Sequence, residues 1–308
     1  MKRWSVVTSI LTMLLVSTVG CGPSGTSLTA QQLKEQNQDA KYVEIDGVSL
    51  HYRQDGLGKP LIFLHGFLTS SNIWRSISPG LTYGNTIYAL DLMGSGLSEK
   101  PQNQVYSIDT YVTQLSKFID GFHLENPIIV GHGIGGSIAT VYAIRNPGKV
   151  RKLALLNTPL HPGHSAPGLW LLKIPLVGGT LTGDWFLQRT LRGGVDKPKS
   201  MSDSVMNDYL KVFQNDPGAR VALLKQVKEL NLDSVLKSEA IPNLAQLKIP
   251  TQLIWGDRDT YVPLDEGKKI KETVSTADLY VVLGTGHYPT EERPEDVRQR
   301  LKDFIDQQ

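Results

Sequence analysis

The chain has 308 residues, 40% of them hydrophobic, enough to bury a sizeable core as one large α/β domain with an insertion or as two modest domains. Its formal net charge is only +2 and no run of Lys and Arg interleaved with aromatics occurs, so nothing in the charge balance argues for nucleic-acid binding. The single cysteine, Cys21, excludes an intramolecular disulfide and a zinc–cysteine cluster.

Residues 1–20 read as a secretory signal rather than as part of the fold. Lys2 and Arg3 precede an apolar stretch, residues 6–19, too short and too rich in Ser and Thr for a convincing membrane span. Cys21 follows Gly20 directly. In its order of basic residues, apolar core and "STVGC", the segment resembles a bacterial lipoprotein signal. That resemblance implies that Cys21 becomes the lipidated first residue of an exported protein, held at a membrane of the cell envelope. Gly22, rather than Asp, after the cysteine resembles outer-membrane sorting if the host is Gram-negative. The alternative is an ordinary cleaved signal with a chance cysteine. Residues 21–40, the cysteine with "GPSGTSLTAQQLKEQNQDA", are polar with almost no apolar periodicity, and a flexible tether is expected there.

Residues 41–308 read as a globular domain. Alternation around Asp46-Gly47 in "YVEIDGVSLHYRQDG" predicts a β-hairpin with a two-residue turn. The continuous apolar run of "PLIFLHGF" suits a strand buried on both faces of a parallel sheet. Further apolar runs at 86–90, 128–130, 153–156, 251–255 and 279–283 are separated by helix-length segments. An early hairpin followed by alternating strands and helices predicts a doubly wound, mostly parallel α/β sheet.

The interval at about 158–247 breaks that rhythm. It is longer than a normal crossover, and "DSVMNDYLKVF" and "ARVALLKQVKEL" carry apolar residues at helical spacing, so a mostly helical cap over the strand ends is expected. Trp170, Trp185 and Phe186 either line a pocket beneath that cap or form its own core.

The stretch "PIIVGHGIGGSIAT", residues 127–140, admits two readings. Gly131, Gly133 and Gly136 match the dinucleotide-binding G-x-G-x-x-G. Gly131, Gly133 and Gly135 also fit the G-x-S-x-G nucleophile elbow, with glycine at the serine position. A dinucleotide site wants this turn after the first strand of its sheet and an acidic residue about twenty positions on, where Asn157 stands instead.

Five segments occur in the order of one family: "LHGF", "ALDLMGSGLSEKP", "VGHGIGG", "LIWGDRD" and "GTGHYP". From residue 42 to the C-terminus the chain thus resembles the α/β-hydrolase fold family, and is similar to its capped branch of small esterases, C–C hydrolases, epoxide hydrolases and haloalkane dehalogenases. On that resemblance the G-x-G-x-x-G match is accidental. His287 matches the family's catalytic histidine and Asp259 its acid, with Asp257 the less favoured candidate. The backbone N–H groups of Phe67 and Ile134 would form an oxyanion hole. Gly133 occupies the nucleophile position without a nucleophile. Ser137, one helical turn on, would point away from the site. His65 and His132 read as framework residues of their motifs, and His161 and His164 in "HPGH" are weak evidence for a metal.

The resemblance implies hydrolase-type chemistry on a small apolar substrate. A His–Asp pair would act as general base beside a backbone oxyanion hole, with no cofactor and no metal. The alternative is a non-catalytic protein that binds a small apolar ligand or a protein partner under the cap.

Overall fold

The computed structural model describes residues 27–175 and 177–307. The expected signal segment and Cys21 lie outside the described residues. One sheet carries eight strands: β1 (Lys41–Ile45), β2 (Val48–Gly56), β3 (Lys59–Leu64), β4 (Asn85–Leu90), β5 (Ile128–His132), β6 (Lys152–Leu156), β7 (Thr251–Gly256) and β8 (Ala277–Val282). Their spatial order is β1-β2-β4-β3-β5-β6-β7-β8. β1, β2 and β4 pair antiparallel, and every pairing from β4 through β3 to β8 is parallel. The expected doubly wound sheet is therefore present. Its hairpin turns on Asp46 and Gly47, both at positive φ (53° and 73°), as a tight two-residue turn requires.

The period-2 alternation of the strands divides the core into two layers. Ile62 and Leu64 of β3, Ile129 of β5 and Leu153 and Leu155 of β6 face helices α2 (Ile108–Gly121) and α3 (Ile134–Arg145). Leu61 and Phe63, Ile128 and Val130, and Ala154 and Leu156 face the opposite side, toward the C-terminal helix Pro294–Asp306. Because both faces are covered, these strands read as unbroken apolar runs rather than as alternating ones. The chain runs outward from β3 to β4 and returns to place β5 on the other side of β3. The loops after β3 and β5 consequently diverge at a switch point, where the carboxyl ends of an α/β sheet leave a crevice.

Between β6 and β7 the chain forms a turn of 3-10 helix (Leu169–Lys173), the longer helices α4 (Asp184–Gly193), α5 (Asp203–Asn215) and α6 (Ala219–Glu229), and an unbroken helical run over residues 232–244. Ser202 caps α5 by accepting from the Val205 N–H, and Met206, Tyr209 and Leu210 form its buried stripe. Leu187, Leu191 and Met206 belong to the same buried apolar cluster as Val130 and Ile254 of the sheet, so cap and sheet share one continuous core. Tyr209 and Arg75 both donate to the buried Glu291 carboxylate, which ties α5 to the core.

The expectation of a flexible tether to residue 40 is corrected from Ser27 onward. Helix α1 (Ala30–Gln36) begins with a capping box formed by Thr29 and Gln32, and Leu33 is buried. Ser27 Oγ donates to Lys100 O, and the Leu28 N–H donates to Asp216 Oδ1 at 3.3 Å. A seven-residue helix with one buried side chain leaves no periodic signal, so its composition resembles that of a linker.

Candidate active site

The tightest turn at the switch point is Gly133, between β5 and α3, with φ 54° and ψ −126°. A side chain there would be strained by the backbone but not by its surroundings: a Cβ would meet Gly66 Cα at 3.5 Å and His287 Nε2 at 3.6 Å. The glycines after it serve close packing within the protein. A Cβ on Gly135 would lie 2.5 Å from the Leu64 and His65 carbonyl oxygens, and one on Gly136 would lie 2.0 Å from Thr158 Oγ1. At Gly131, Gly135 and Gly136 the backbone thus abuts the chain's own residues, so these glycines serve internal packing rather than the approach of a pyrophosphate, against the dinucleotide reading.

His287 and Asp259, separated by 28 positions, come together, with Nδ1 2.8 Å from Asp259 Oδ2. An ionised carboxylate can only accept, so Nδ1 carries the proton and Nε2 is left basic, facing the turn at Gly133. The other carboxylate oxygen of Asp259 accepts the N–H groups of Tyr261 (2.7 Å) and Val262 (3.0 Å). Burial alone would raise the Asp259 carboxyl; the His287 charge and these hydrogen bonds outweigh it and hold the group below the usual carboxylate range. Asp257 stands apart from the histidine, accepting the N–H groups of Gly284 and Thr285 and closing the loop after β8.

Asn157, seen in the sequence only as the residue that spoils a ribose site, is part of this arrangement. Held at φ 47°, it donates from Nδ2 to Asp259 Oδ2 at 2.7 Å. An asparagine after a strand carries no sequence signal for such a role, since its partner lies 102 positions away. His132 Nε2 donates to the His287 carbonyl oxygen at 2.7 Å, and burial pushes its pKa down to about 3, so it is a neutral support for the histidine loop. His65 donates from Nδ1 to Gly66 O and accepts the Leu92 N–H on Nε2, which fixes the loop after β3.

Phe67 and Ile134 both line the cavity above Gly133, and among the described residues neither backbone N–H donates to a protein acceptor. The cavity encloses about 320 Å³, within the range of small-molecule sites, and is walled by apolar side chains including Phe67, Ile134, Leu169, Leu232 and Val262. Of the three aromatics expected either to line a pocket or to form the cap's own core, Trp170 borders this cavity, Phe186 of α4 is buried in the apolar cluster shared by cap and sheet, and Trp185 lies on the surface. Ser137 is fully buried and donates to Pro159 O, outside the cavity lining.

His161 and His164 converge on Glu266 of helix α7 (Leu264–Thr273). His161 Nδ1 lies 2.9 Å from Oε1 and His164 Nε2 3.3 Å from Oε2, and the carboxylate also accepts the Leu160 and His161 N–H groups. Burial would raise the Glu266 carboxyl, but these four contacts bring it down to about 2. The "HPGH" histidines therefore pin the start of the cap to the core and border the cavity only through His164.

Residues 59–294 match the family model described as alpha/beta hydrolase fold. An uncharacterized hydrolase, YugF, of Bacillus subtilis is 29% identical over 85% of this chain and 96% of its own length. Lipase 1 of Psychrobacter immobilis is 27% identical over 94% of this chain and 93% of its own. The crystal structure of an alpha/beta hydrolase fold protein from Burkholderia ambifaria superposes with a TM-score of 0.78, at 22% identity, over 85% of this chain and 97% of that one.

Proposed function

The chain belongs to the α/β-hydrolase fold family, and on that premise we propose that it hydrolyses a small apolar ester with His287 as general base and without a serine nucleophile. The observation that carries this reading is the His287–Asp259 pair, whose free Nε2 faces the space above Gly133. Nε2 takes a proton from water as the oxygen attacks the ester carbonyl carbon. The carbonyl oxygen gains the negative charge and is received by the N–H groups of Phe67 and Ile134. The tetrahedral adduct then expels the alcohol oxygen, which takes back the proton from His287, leaving acid and alcohol. Asp259 holds the imidazole in the tautomer this requires and offsets its charge while protonated.

The apolar walls of the cavity and the similarity to a named lipase support an apolar acyl group as the recognised part. Without a covalent step the rate falls well short of a full triad, though binding and an oxyanion hole alone retain roughly 10³- to 10⁴-fold catalysis in such sites. A specific observation favours a second reading: Gly133 lacks any nucleophilic side chain, as a protein that only binds an apolar ligand or partner under its cap could afford. An activity panel of esters, lactones, epoxides and C–C hydrolase substrates, run on wild type and His287→Ala, separates the two. Turnover abolished by the substitution is expected, and equal rates across the panel would establish the binding reading. The sequence around Cys21 supports attachment of the protein to an envelope membrane through a lipidated cysteine. Detergent partitioning should shift when Cys21 is replaced by serine, and identical partitioning would exclude the anchor.

A further inference from the structure

Four exposed large apolar side chains gather on one stretch of the cap: Trp170 is 62% exposed, Ile174 36%, Val177 39% and Trp185 61%. The two ends of this stretch are neighbours, since a Cβ on Gly168 would lie 3.7 Å from the Phe186 ring. Lys173, one turn from Trp170, and Arg189, one turn from Trp185 on α4, are both exposed, and neither has an ion-pair partner among the described residues. Of the acids nearby, Asp184 is neutralised by Arg220, while Asp233, which borders the same cavity as Trp170 and Lys173, accepts the Gly163 N–H and leaves one negative charge beside the two cations. Indoles and aliphatics interleaved with unpaired cations complement an anionic lipid surface, where Trp sits at the headgroup level and each cation adds attraction. Among the described residues no helix is long and apolar enough to cross a membrane, so such contact would be interfacial.

The start of the described chain lies at the same end of the cap. Ser27 packs on Gly218, where a Cβ would come within 2.5 Å of Ser27 Cα; two residues on, Arg220 binds Asp184, the residue before Trp185. Six residue steps from Ser27 back to Cys21 span at most about 20 Å. A lipid on Cys21 would therefore hold a bilayer within reach of this face. Trp170 and Lys173 also border the cavity above Gly133.

We propose that this face of the cap docks on an anionic lipid bilayer and opens the cavity toward it, so that an amphiphilic ester passes from the lipid to His287. The docking stands on the surface alone, and the delivery of substrate rests on the hydrolytic reading above. The test uses the mature full chain with vesicles of phosphatidylcholine containing a minority of phosphatidylglycerol, with and without brominated acyl chains. Trp74 and Trp255 are buried. The difference in emission between wild type and Trp170→Phe/Trp185→Phe thus reports the cap indoles.

That difference emission is expected to shift to the blue and to be quenched by brominated lipid. Most of the quenching should be lost on pure phosphatidylcholine and in Lys173→Gln/Arg189→Gln. Failure to associate with the anionic vesicles, or association with unquenched cap indoles, overturns the proposal. Indole burial that follows protein concentration without lipid would assign the face to a second copy of the chain and overturn it as well. Quenching that persists in Cys21→Ser supports docking even if the anchor fails, and quenching without turnover supports it even if the hydrolytic reading fails.

Discussion

At Gly133 a single hydroxymethyl group separates the observed geometry from that of acyl transfer. A serine Cβ fits at ordinary contact distance from His287 Nε2, so its Oγ would fall within hydrogen-bonding reach of the base and in front of Phe67 and Ile134. Gly133→Ser is expected to create or raise esterase activity toward small activated esters and to add fluorophosphonate labelling at residue 133. The same change places a Cβ at φ 54°, so it should cost about 1 kcal/mol or more of stability, read as a small fall in melting temperature. A folded variant that neither labels nor turns over esters would show that His287 and Asp259 do not act as a catalytic pair. Asn157 belongs to the same scale: it touches neither the cavity nor the reacting atoms, and acts by holding Asp259.

The elements are joined by a few buried polar contacts where the apolar core does not reach. Lys100, on the loop after β4, pairs with Asp216 between α5 and α6 at 3.2 Å, and both side chains are almost fully buried. Burial pulls the lysine below its usual pKa, and the Asp216 charge opposes that shift. Asp216 also receives the N–H groups of Leu28 and Gly218, so one carboxylate gathers the N-terminal segment, the cap and the core. Lys100→Met should leave that carboxylate buried and unpaired, at a cost of about 3 kcal/mol or more in urea unfolding. Lys100→Met/Asp216→Asn should recover a substantial part, because the amide keeps an acceptor without the charge. No recovery in the double variant would mean that lysine packing and the hydrogen bonds from Nζ to the Gly96 and Ser98 carbonyls, rather than charge pairing, set the cost.

Across the whole molecule, acid stability separates two sets of buried groups. Burial holds His132 and His65 neutral by lowering their pKa, His132 to about 3. Below the ordinary histidine value of 6.5 the unfolded chain therefore binds protons that the folded chain refuses. Stability is full above that value and falls as the pH drops, by up to about 1.4 kcal/mol per pH unit for each such histidine. The carboxylates act in the same direction, but at lower pH. Glu266, Asp259 and Asp91 sit below their ordinary values, so their contribution is complete above about 4.5 and is lost only as the pH falls through the lowered values. Melting temperature measured by calorimetry should thus begin to fall near pH 6.5, with a second and steeper loss below about 4.5. His132→Gln, which can keep a donor to the His287 carbonyl, should flatten the first decline. A melting temperature unchanged down to pH 5 would contradict the neutral, buried state of these histidines.

The sheet, its hairpin and its order of strands and helices were legible in the sequence because each rests on local periodicity and turn chemistry: apolar runs such as "LIFL", and Asp46-Gly47. Candidate roles for Asp259, His287, Phe67 and Ile134 were legible for another reason, as what the resemblance of five short segments to the α/β-hydrolase fold family implies. What the sequence by itself could not determine depends on contacts between distant positions. Whether His287 meets Asp259 or Asp257 is decided by how the loop after β8 folds, and Asn157 finds Asp259 only when β6 and β7 pair. Glu266 and Lys100 stand in unremarkable polar surroundings in the sequence, and their burial comes from the cap folding back onto them. The same holds for residues 27–36, whose linker-like composition gives way to packing once Asp216 and Gly218 offer a surface. Local sequence determines which elements form; burial, and the pairing of charges that burial enforces, arises only where elements far apart in the chain close over one another.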